Sequence, residues 1–305
     1  MKQLPTLKQL EYLVALAKTR HFGQAAERCF ITQSTLSAGI RDLETALGTP
    51  VAERSNRQVL MTPIGERLAE RAAAVLRDAE ELMDLARAGR EPMTGEIRLG
   101  VIPTISPFLL PRVLPLLRER FPQLTLYLRE ERTASILERL NQGELDVGLI
   151  ALPYDTGDSL CVEAFYEDEF FFACGPDHDL AGAEEVSPER LAGQPLMLLE
   201  EGHCLRGHTL DACALGGNDR ARAQFEATSL HTLVQMVASG IGVTLIPKLA
   251  VEARITRGTD ISLLRLGKPA SRQLGLAWRK TSARGDDYRQ LARTLGEATD
   301  RIGEA

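Results

Sequence analysis

Residues 203 to 213 read His-Cys-Leu-Arg-Gly-His-Thr-Leu-Asp-Ala-Cys, which places two thiols, two imidazoles and a guanidinium in one short stretch. A thiol reacts as its thiolate, and a neighbouring cation favours that form. His203 and Arg206 are close enough in sequence to Cys204 to supply that field and to donate hydrogen bonds to a peroxide. A thiolate that meets peroxide becomes a sulfenic acid, which condenses with a second thiol to a disulfide; a dithiol reductant reverses the bond. If residues 204 to 213 formed one straight helix, the Cα atoms of Cys204 and Cys213 would stand roughly 13 Å apart at about 1.5 Å per residue. A disulfide needs about 4.4–6.8 Å, so joining the two thiols requires the segment to bend or unwind. His203, Cys204, His208 and Cys213 are also possible zinc ligands. Their spacing does not match paired ligand knuckles, and redox chemistry ranks above metal. No metal and no cofactor is expected.

The chain around this segment has 305 residues, 44% of them apolar and 26% charged. That composition is globular, and the length asks for two or three domains. The cysteine number is odd: Cys29, Cys161 and Cys174 join the two above. These three sit among apolar residues and read as packing cysteines. A structural disulfide framework is not expected. No apolar run is long enough for a bilayer, and Tyr12 to Ala17 is a short apolar stretch between Glu11 and Lys18, not a signal peptide. The expectation is a cytoplasmic protein with no membrane partner. The net charge of −6 hides an asymmetry, with 8 Lys+Arg against 5 Asp+Glu in Met1–Thr62 and 28 against 37 in the remainder. A basic N-terminal unit on an acidic body permits DNA binding by the former.

The elements that must position these residues follow from periodicity. Leu10, Leu13, Val14 and Ala17 fall at helical spacing, as do Phe22, Ala25, Ala26 and Cys29, and then Leu36, Ile40, Leu43 and Leu47. Thr32 is placed to cap the third helix and Gly48 to end it. A hairpin runs from Val51 to Met61, turning near Ser55-Asn56. Thr62-Pro63 starts a long helix whose seam is Ile64, Leu68, Ala72, Val75, Ala79, Leu82 and Ala86. One apolar seam with charged flanks wants a partner helix, which reads as a dimerisation linker. From residue 96 strands and helices alternate: strand 96–102, helix 106–121, strand 124–129, helix 133–141, strand 146–151. A second alternation follows with strands at 170–174, 196–199, 222–226 and 242–246 and a helix at 229–239. Cross-over segments fall near 163–168 and 268–272. The fold class is α/β, with a largely parallel sheet in a two-lobed, periplasmic-binding-protein-like body. The boundaries read as 1–62 for a winged helix-turn-helix, 63–90 for the linker helix and 95–305 for the regulatory body. Its first lobe takes 95–165 with 272–305, and its second 166–271.

With its apolar stripe turned to a small core, the third helix presents Gln33, Ser34, Thr35, Ser37 and Arg41 on its other face. These side chains suit base edges and phosphates, and Arg54 and Arg57 of the wing suit phosphates or the minor groove. The stretches Leu10–Leu16, Phe22–Ala26, Thr32–Ser37 and Thr62–Gly65 resemble the DNA-binding domain of LysR-type regulators, and Gly143–Val147 and Gly240–Pro247 resemble the body of that family. The resemblance covers essentially the whole chain. The segment Leu199–Arg206, the following Cys213 and Gly100–Thr104 are similar to the peroxide-sensing members of the family. The resemblance implies a non-enzymatic regulator, acting as activator or repressor of antioxidant genes on double-stranded promoter DNA. It implies homodimers through the linker helix, paired again as tetramers. Cys204 would be the peroxidatic cysteine and Cys213 the resolving one. Thr104, His203 and Arg206 would form the hydrogen peroxide pocket. Further partners would be RNA polymerase and a thiol reductant such as glutaredoxin or thioredoxin. One position departs from the pattern: an acidic residue usually follows the arginine, and here Gly207 does, followed by His208. Glycine disfavours helix by about 1 kcal/mol. The rival readings are a family member that binds a small organic effector between its lobes, and a thiol peroxidase, which has no need of the N-terminal unit.

Overall fold

The computed structural model describes residues 4–54, 59–88, 92–191, 194–213 and 226–300. The chain divides into two compact units, Met1–Arg90 and Glu91–Ala305.

The N-terminal unit comprises α1 (Leu7–Thr19), α2 (Phe22–Arg28), α3 (Gln33–Leu47), β1 (Ala52–Arg54), β2 (Val59–Met61) and α4 (Pro63–Ala88). Each short helix starts on a side-chain cap: Thr6 with Gln9 forms a capping box on α1, the His21 ring accepts from the N–H groups of Gly23 and Gln24, and Thr32 accepts from Thr35. Leu36, Ile40 and Leu43 of α3 are buried as their spacing requires. In α1 the most buried face is Tyr12, Leu13, Ala15 and Leu16, displaced from the stripe that periodicity picks out. The reason is that α1 packs against α2, α3 and α4 at once, so more than one of its faces is covered. The ring of Tyr12 lies against Gly39 of α3, where an added Cβ would meet it at 2.6 Å. The wing pairs Ala52 with Met61 and Arg54 with Val59; its turn at Ser55-Asn56, with Arg57, lies outside the described residues. Thr62 accepts from the Gly65 N–H at 3.0 Å and so caps α4. Ala69 and Ala72 are buried in this unit and Leu68 packs on its core. Further along the same seam Val75 and Leu82 remain 46% and 68% exposed in the single chain.

The second unit comprises β3 (Gly95–Val101), α5 (Ser106–Arg120), β4 (Leu124–Glu130), α6 (Thr133–Asn141), β5 (Val147–Leu152), β6 (Leu160–Cys174), β7 (Glu185–Val186), α7 (Pro188–Leu191), β8 (Leu198–Leu199), α8 (Cys204–Ala212), β9 (Glu226–Ala227), α9 (Leu230–Ala238), β10 (Thr244–Pro247), α10 (Lys248–Glu252), β11 (Ser262–Leu266), β12 (Ser271–Arg279) and α11 (Gly285–Asp300). β3 runs parallel to both β4 and β5. Most of the remaining large sheet departs from the largely parallel expectation: β12 is antiparallel to β5 and β6, and β10 and β11 are antiparallel to β6, while β7 is parallel to β11. The cause is β6 itself. The segment 163–168, read as a cross-over, is the middle of one 15-residue strand. Its early residues pair with β12 and its late residues with β10 and β11, so one strand serves both halves of the body. Of the strand expected at 222–226, only Glu226 lies among the described residues; there it opens β9, parallel to β8.

Candidate functional site

The exposed face of α3 carries Gln33, Ser34, Thr35 and Arg41, with Ser37 half-buried beside them. The Thr32 hydroxyl sits 2.9 Å from that of Ser34 and 2.8 Å from that of Thr35, which ties the first turn together. Arg54 ends β1. A capped helix with a polar outer face can lie along a DNA groove.

In the body, the ends of β3, β4 and β5 lie at one edge, where ligands of open α/β sheets sit. Thr104 follows β3. It does not cap α5, whose N-cap is Ile105 without a side-chain bond. Instead Thr104 is buried, and both of its oxygens accept from one guanidinium: Arg272 donates through Nη1 to Oγ1 at 2.9 Å and through Nη2 to the carbonyl at 3.0 Å. Arg272 Nε donates to Asp168 Oδ2 at 2.9 Å, and Asp168 Oδ1 accepts from the Leu249 N–H at 2.8 Å. Both charged side chains are fully buried. Burial raises the Asp168 carboxyl above its ordinary range, against the pull of Arg272 and the Leu249 amide. Neither residue was singled out from sequence, yet a signal exists. Asp168 shares strand parity with the buried Phe170 and Phe172, Arg272 shares it with Leu274 and Leu276, and the two are direct cross-strand partners. A charge at inward parity on each of two paired strands asks for its opposite. Thr133, first residue of α6 after β4, is buried with an Oγ1 that has no hydrogen-bond partner among the described residues.

The thiol segment forms α8. Cys204 is its first residue and half-buried against the body core; Cys213 caps its other end and is buried. All five cysteines are free. The regular helix between the two ends keeps the Cα atoms roughly 13 Å apart at about 1.5 Å per residue. Burial pushes the Cys213 thiol up to about 11. Cys174 is buried as read, while Cys29 and Cys161 are only half-buried.

His203 is the N-cap residue of α8 and lies buried, with Nε2 4.0 Å from Glu200 Oε1. Burial first, and then the Arg132 charge, lower its pKa from 6.5. The ring is therefore neutral near pH 7, which corrects the expectation that it supplies positive charge to Cys204; what it offers is hydrogen bonding. Arg206 donates through Nη1 to the Leu199 carbonyl at 3.0 Å and to Glu226 Oε1 at 2.7 Å. Its guanidinium thus straps α8 to β8 and β9, and Glu226 meets its charge. The chain just before α8 is also held from the start of α6, since its N-cap Arg132 donates to the Glu201 carbonyl at 2.9 Å and also to Glu200. Among the described residues no cluster of three or more His, Cys, Asp or Glu side chains could hold a metal. No described helix is long and apolar enough to cross a membrane.

Residues 7–66 match the bacterial regulatory helix-turn-helix protein family of lysR type, and residues 90–300 match the LysR substrate binding domain. The chain belongs to the LysR family. This LysR-type chain is a DNA-binding transcriptional regulator and not an enzyme. It is 42% identical over 283 residues to the HTH-type transcriptional regulator EstR of Acinetobacter baylyi, covering 92% of this chain and 93% of that one. It is 41% identical over 297 residues to the hydrogen peroxide-inducible genes activator of Pectobacterium carotovorum, covering 95% and 96%. Among solved structures it resembles a full-length OxyR variant of Pseudomonas aeruginosa, with a TM-score of 0.75, 34% identity and coverage of 96% and 95%. The winged helix-turn-helix and the α/β regulatory body of this LysR-type chain follow the architecture of that structure.

Proposed function

We propose that this regulator senses hydrogen peroxide through Cys204 and reports it by forming a Cys204–Cys213 disulfide. The observation that carries the reading is the placement of the two thiols at opposite ends of α8. A bond between them is incompatible with that helix, so closing the disulfide requires α8 to refold. Peroxide oxidises Cys204 to a sulfenic acid and leaves as water. The Cys213 thiol then gives up its proton, its sulfur attacks Cys204, and the sulfenic oxygen leaves as hydroxide that takes that proton to become a second water. Buried and protonated, Cys213 is no nucleophile until α8 loosens, which makes resolution wait for the conformational change. Thr104 and His203 supply hydrogen bonds to peroxide, and Arg206 positions the helix. The names of the Pectobacterium and Pseudomonas relatives agree with this reading.

The transmission runs through assembly. The exposed Val75 and Leu82 of α4 form the seam of a homodimer across the 63–90 linker, and the 95–305 bodies pair dimers into tetramers. Gln33, Ser34, Thr35, Ser37, Arg41, Arg54 and Arg57 of the 1–62 domain hold double-stranded promoter DNA in the cytoplasm. There the rearranged tetramer contacts RNA polymerase differently, and a glutaredoxin- or thioredoxin-type dithiol resets it. The experiment is a DNA footprint and transcription assay with and without peroxide. The wild-type chain changes its footprint on oxidation and Cys204→Ser does not. A peroxide response that survives Cys204→Ser, or a peptide map with Cys213 still free after full oxidation, refutes the assignment.

A further inference from the structure

His208 departs from the chemistry already assigned to α8. It stands one turn after Cys204, and at that spacing two helical side chains share a face with their Cβ atoms about 5–6 Å apart. The ring is only 8% exposed. Its Nε2 lies 3.2 Å from the Pro153 carbonyl, at the end of β5. A carbonyl can only accept, so Nε2 carries the proton and Nδ1 keeps its lone pair. That Nδ1 is buried and has no hydrogen-bond partner among the described residues. Buried acceptors are rarely left so, and those that are ask for an explanation.

The groups facing the ring say what it serves. Arg272 of β12 acts on it electrostatically, and Arg272 is the residue that grips both oxygens of Thr104 and pairs with Asp168. Asp211 acts on it from α8 itself. Burial, the largest influence, lowers the ring's pKa from 6.5; the Pro153 bond opposes it, Arg272 assists it and Asp211 opposes it. The ring is neutral near pH 7. Because the Thr104 hydroxyl accepts from Arg272, its own proton is free to donate. Guanidinium and hydroxyl are thus donors at this edge. Hydrogen peroxide carries two O–H groups and also needs an acceptor, and the Cys204 thiol must lose a proton before it attacks. His208 Nδ1 can meet both needs.

We infer, resting on the peroxide reading above, that His208 is a further catalytic residue whose Nδ1 takes the Cys204 thiol proton and returns it to the departing hydroxide. The sulfur attacks the nearer peroxide oxygen and the O–O bond breaks. That oxygen stays, with its hydrogen, as the Cys204 sulfenic acid. The farther oxygen leaves with its own hydrogen and gains the proton from Nδ1, so that one thiol and one peroxide give one sulfenic acid and one water. Sulfur loses two electrons, peroxide gains them, and His208 ends as it began.

The test is the pH profile of Cys204 oxidation in the reduced full-length chain, followed by rapid quenching, sulfenate trapping and mass spectrometry. With His208 as base, the wild-type rate is flat through neutral pH and falls only on the acid side, where the ring protonates. His208→Gln keeps a donor for Pro153 and an acceptor toward the site but cannot carry a proton. Its rate should be about a hundredfold lower near neutral pH and rise about tenfold per pH unit with the thiolate. It should meet the wild type at the alkaline end, where the thiol ionises unaided. A His208→Gln profile parallel to the wild type, as a merely structural role would give, overturns the inference and leaves peroxide sensing intact. A wild-type rate that itself climbs tenfold per unit through neutral pH does the same without any variant. Wild-type Cys204 that resists stoichiometric peroxide overturns the sensing reading and this one together.

Discussion

Helices α3 and α8 are built in opposite ways. α3 has 15 residues, a side-chain cap on Thr32, a left-handed Gly48 to end it and one unbroken apolar stripe. α8 has nine residues, no side-chain cap and a glycine inside it. The face that α8 buries mixes Leu205 and Leu210 with His208 and Thr209. Its position depends on polar straps: Arg206 to Leu199 and Glu226, and His208 to Pro153. A helix that presents side chains to a DNA groove must hold them in register, and apolar burial does so whatever the redox state. A helix that unwinds on oxidation, as proposed for α8, is served by poor stabilisation, and short length, a missing cap and an interior glycine each contribute to that.

The comparison can be broken first in α3. Ile40→Ala removes a fully buried side chain from the small N-terminal core and should cost about 2–5 kcal/mol. Thermal melting and operator binding of the variant should both suffer, while the rate of Cys204 oxidation stays unchanged. Equal loss in oxidation rate would show that the two units are not independent in this respect. The next effect sharpens α8. Gly207 is exposed, and a Cβ added there meets nothing within 4 Å. Gly207→Ala should therefore stabilise the helix by about 1 kcal/mol. Sulfenate formation should be unaltered and closure of the Cys204–Cys213 bond slowed about fivefold, read by peptide mapping at timed quenches; faster closure would mean that α8 need not unwind. The smallest effect is one of sign. His203 and His208 titrate below 6.5 in the fold. An unfolded chain takes up these protons first as pH falls, so stability conferred by the fold is present above about 6.5 and drains as pH drops toward the lowered values. Melts of the reduced chain should fall in temperature between pH 7 and 5.5, and the double change to Gln should flatten that slope. A melt that rises on acidification contradicts it.

Much of this was legible in the sequence because periodicity and punctuation agreed. α6 spans Thr133–Asn141 as its pattern requires, and Thr32, Gly48 and Thr62 cap or end the helices they were assigned to. In α1 the stripe Leu10, Leu13, Val14 and Ala17 packs on the core, and Tyr12, Ala15 and Leu16 join it because three neighbouring helices cover more than one side. Only the 170–174 part of β6 was read as a strand, with 163–168 as a cross-over; its full length comes from pairing with β12, a long-range partner that no local window contains. At the site, Cys204, Cys213 and His203 could be named from type and spacing, and Thr104 only through the family resemblance. The neutral state of His203 could not, since it comes from burial. Arg206 proved to be engaged by Glu226, distant in sequence. Asp168, Arg272 and the Pro153 carbonyl were missed for the same reason: each matters through partners that only the fold brings near.

The Asp168–Arg272 pair has a consequence for what else the cleft admits. An arginine at the strand edge of such a body is a natural receptor for carboxylates and phosphates. Here Asp168 acts as a permanently tethered counter-ion, already occupying the guanidinium's most favourable direction. A diffusing anion would have to displace a covalently attached competitor at very high local concentration and would strand a second negative charge in a dry interior. The pair therefore leaves no unmatched positive charge beside Thr104 to attract a charged metabolite.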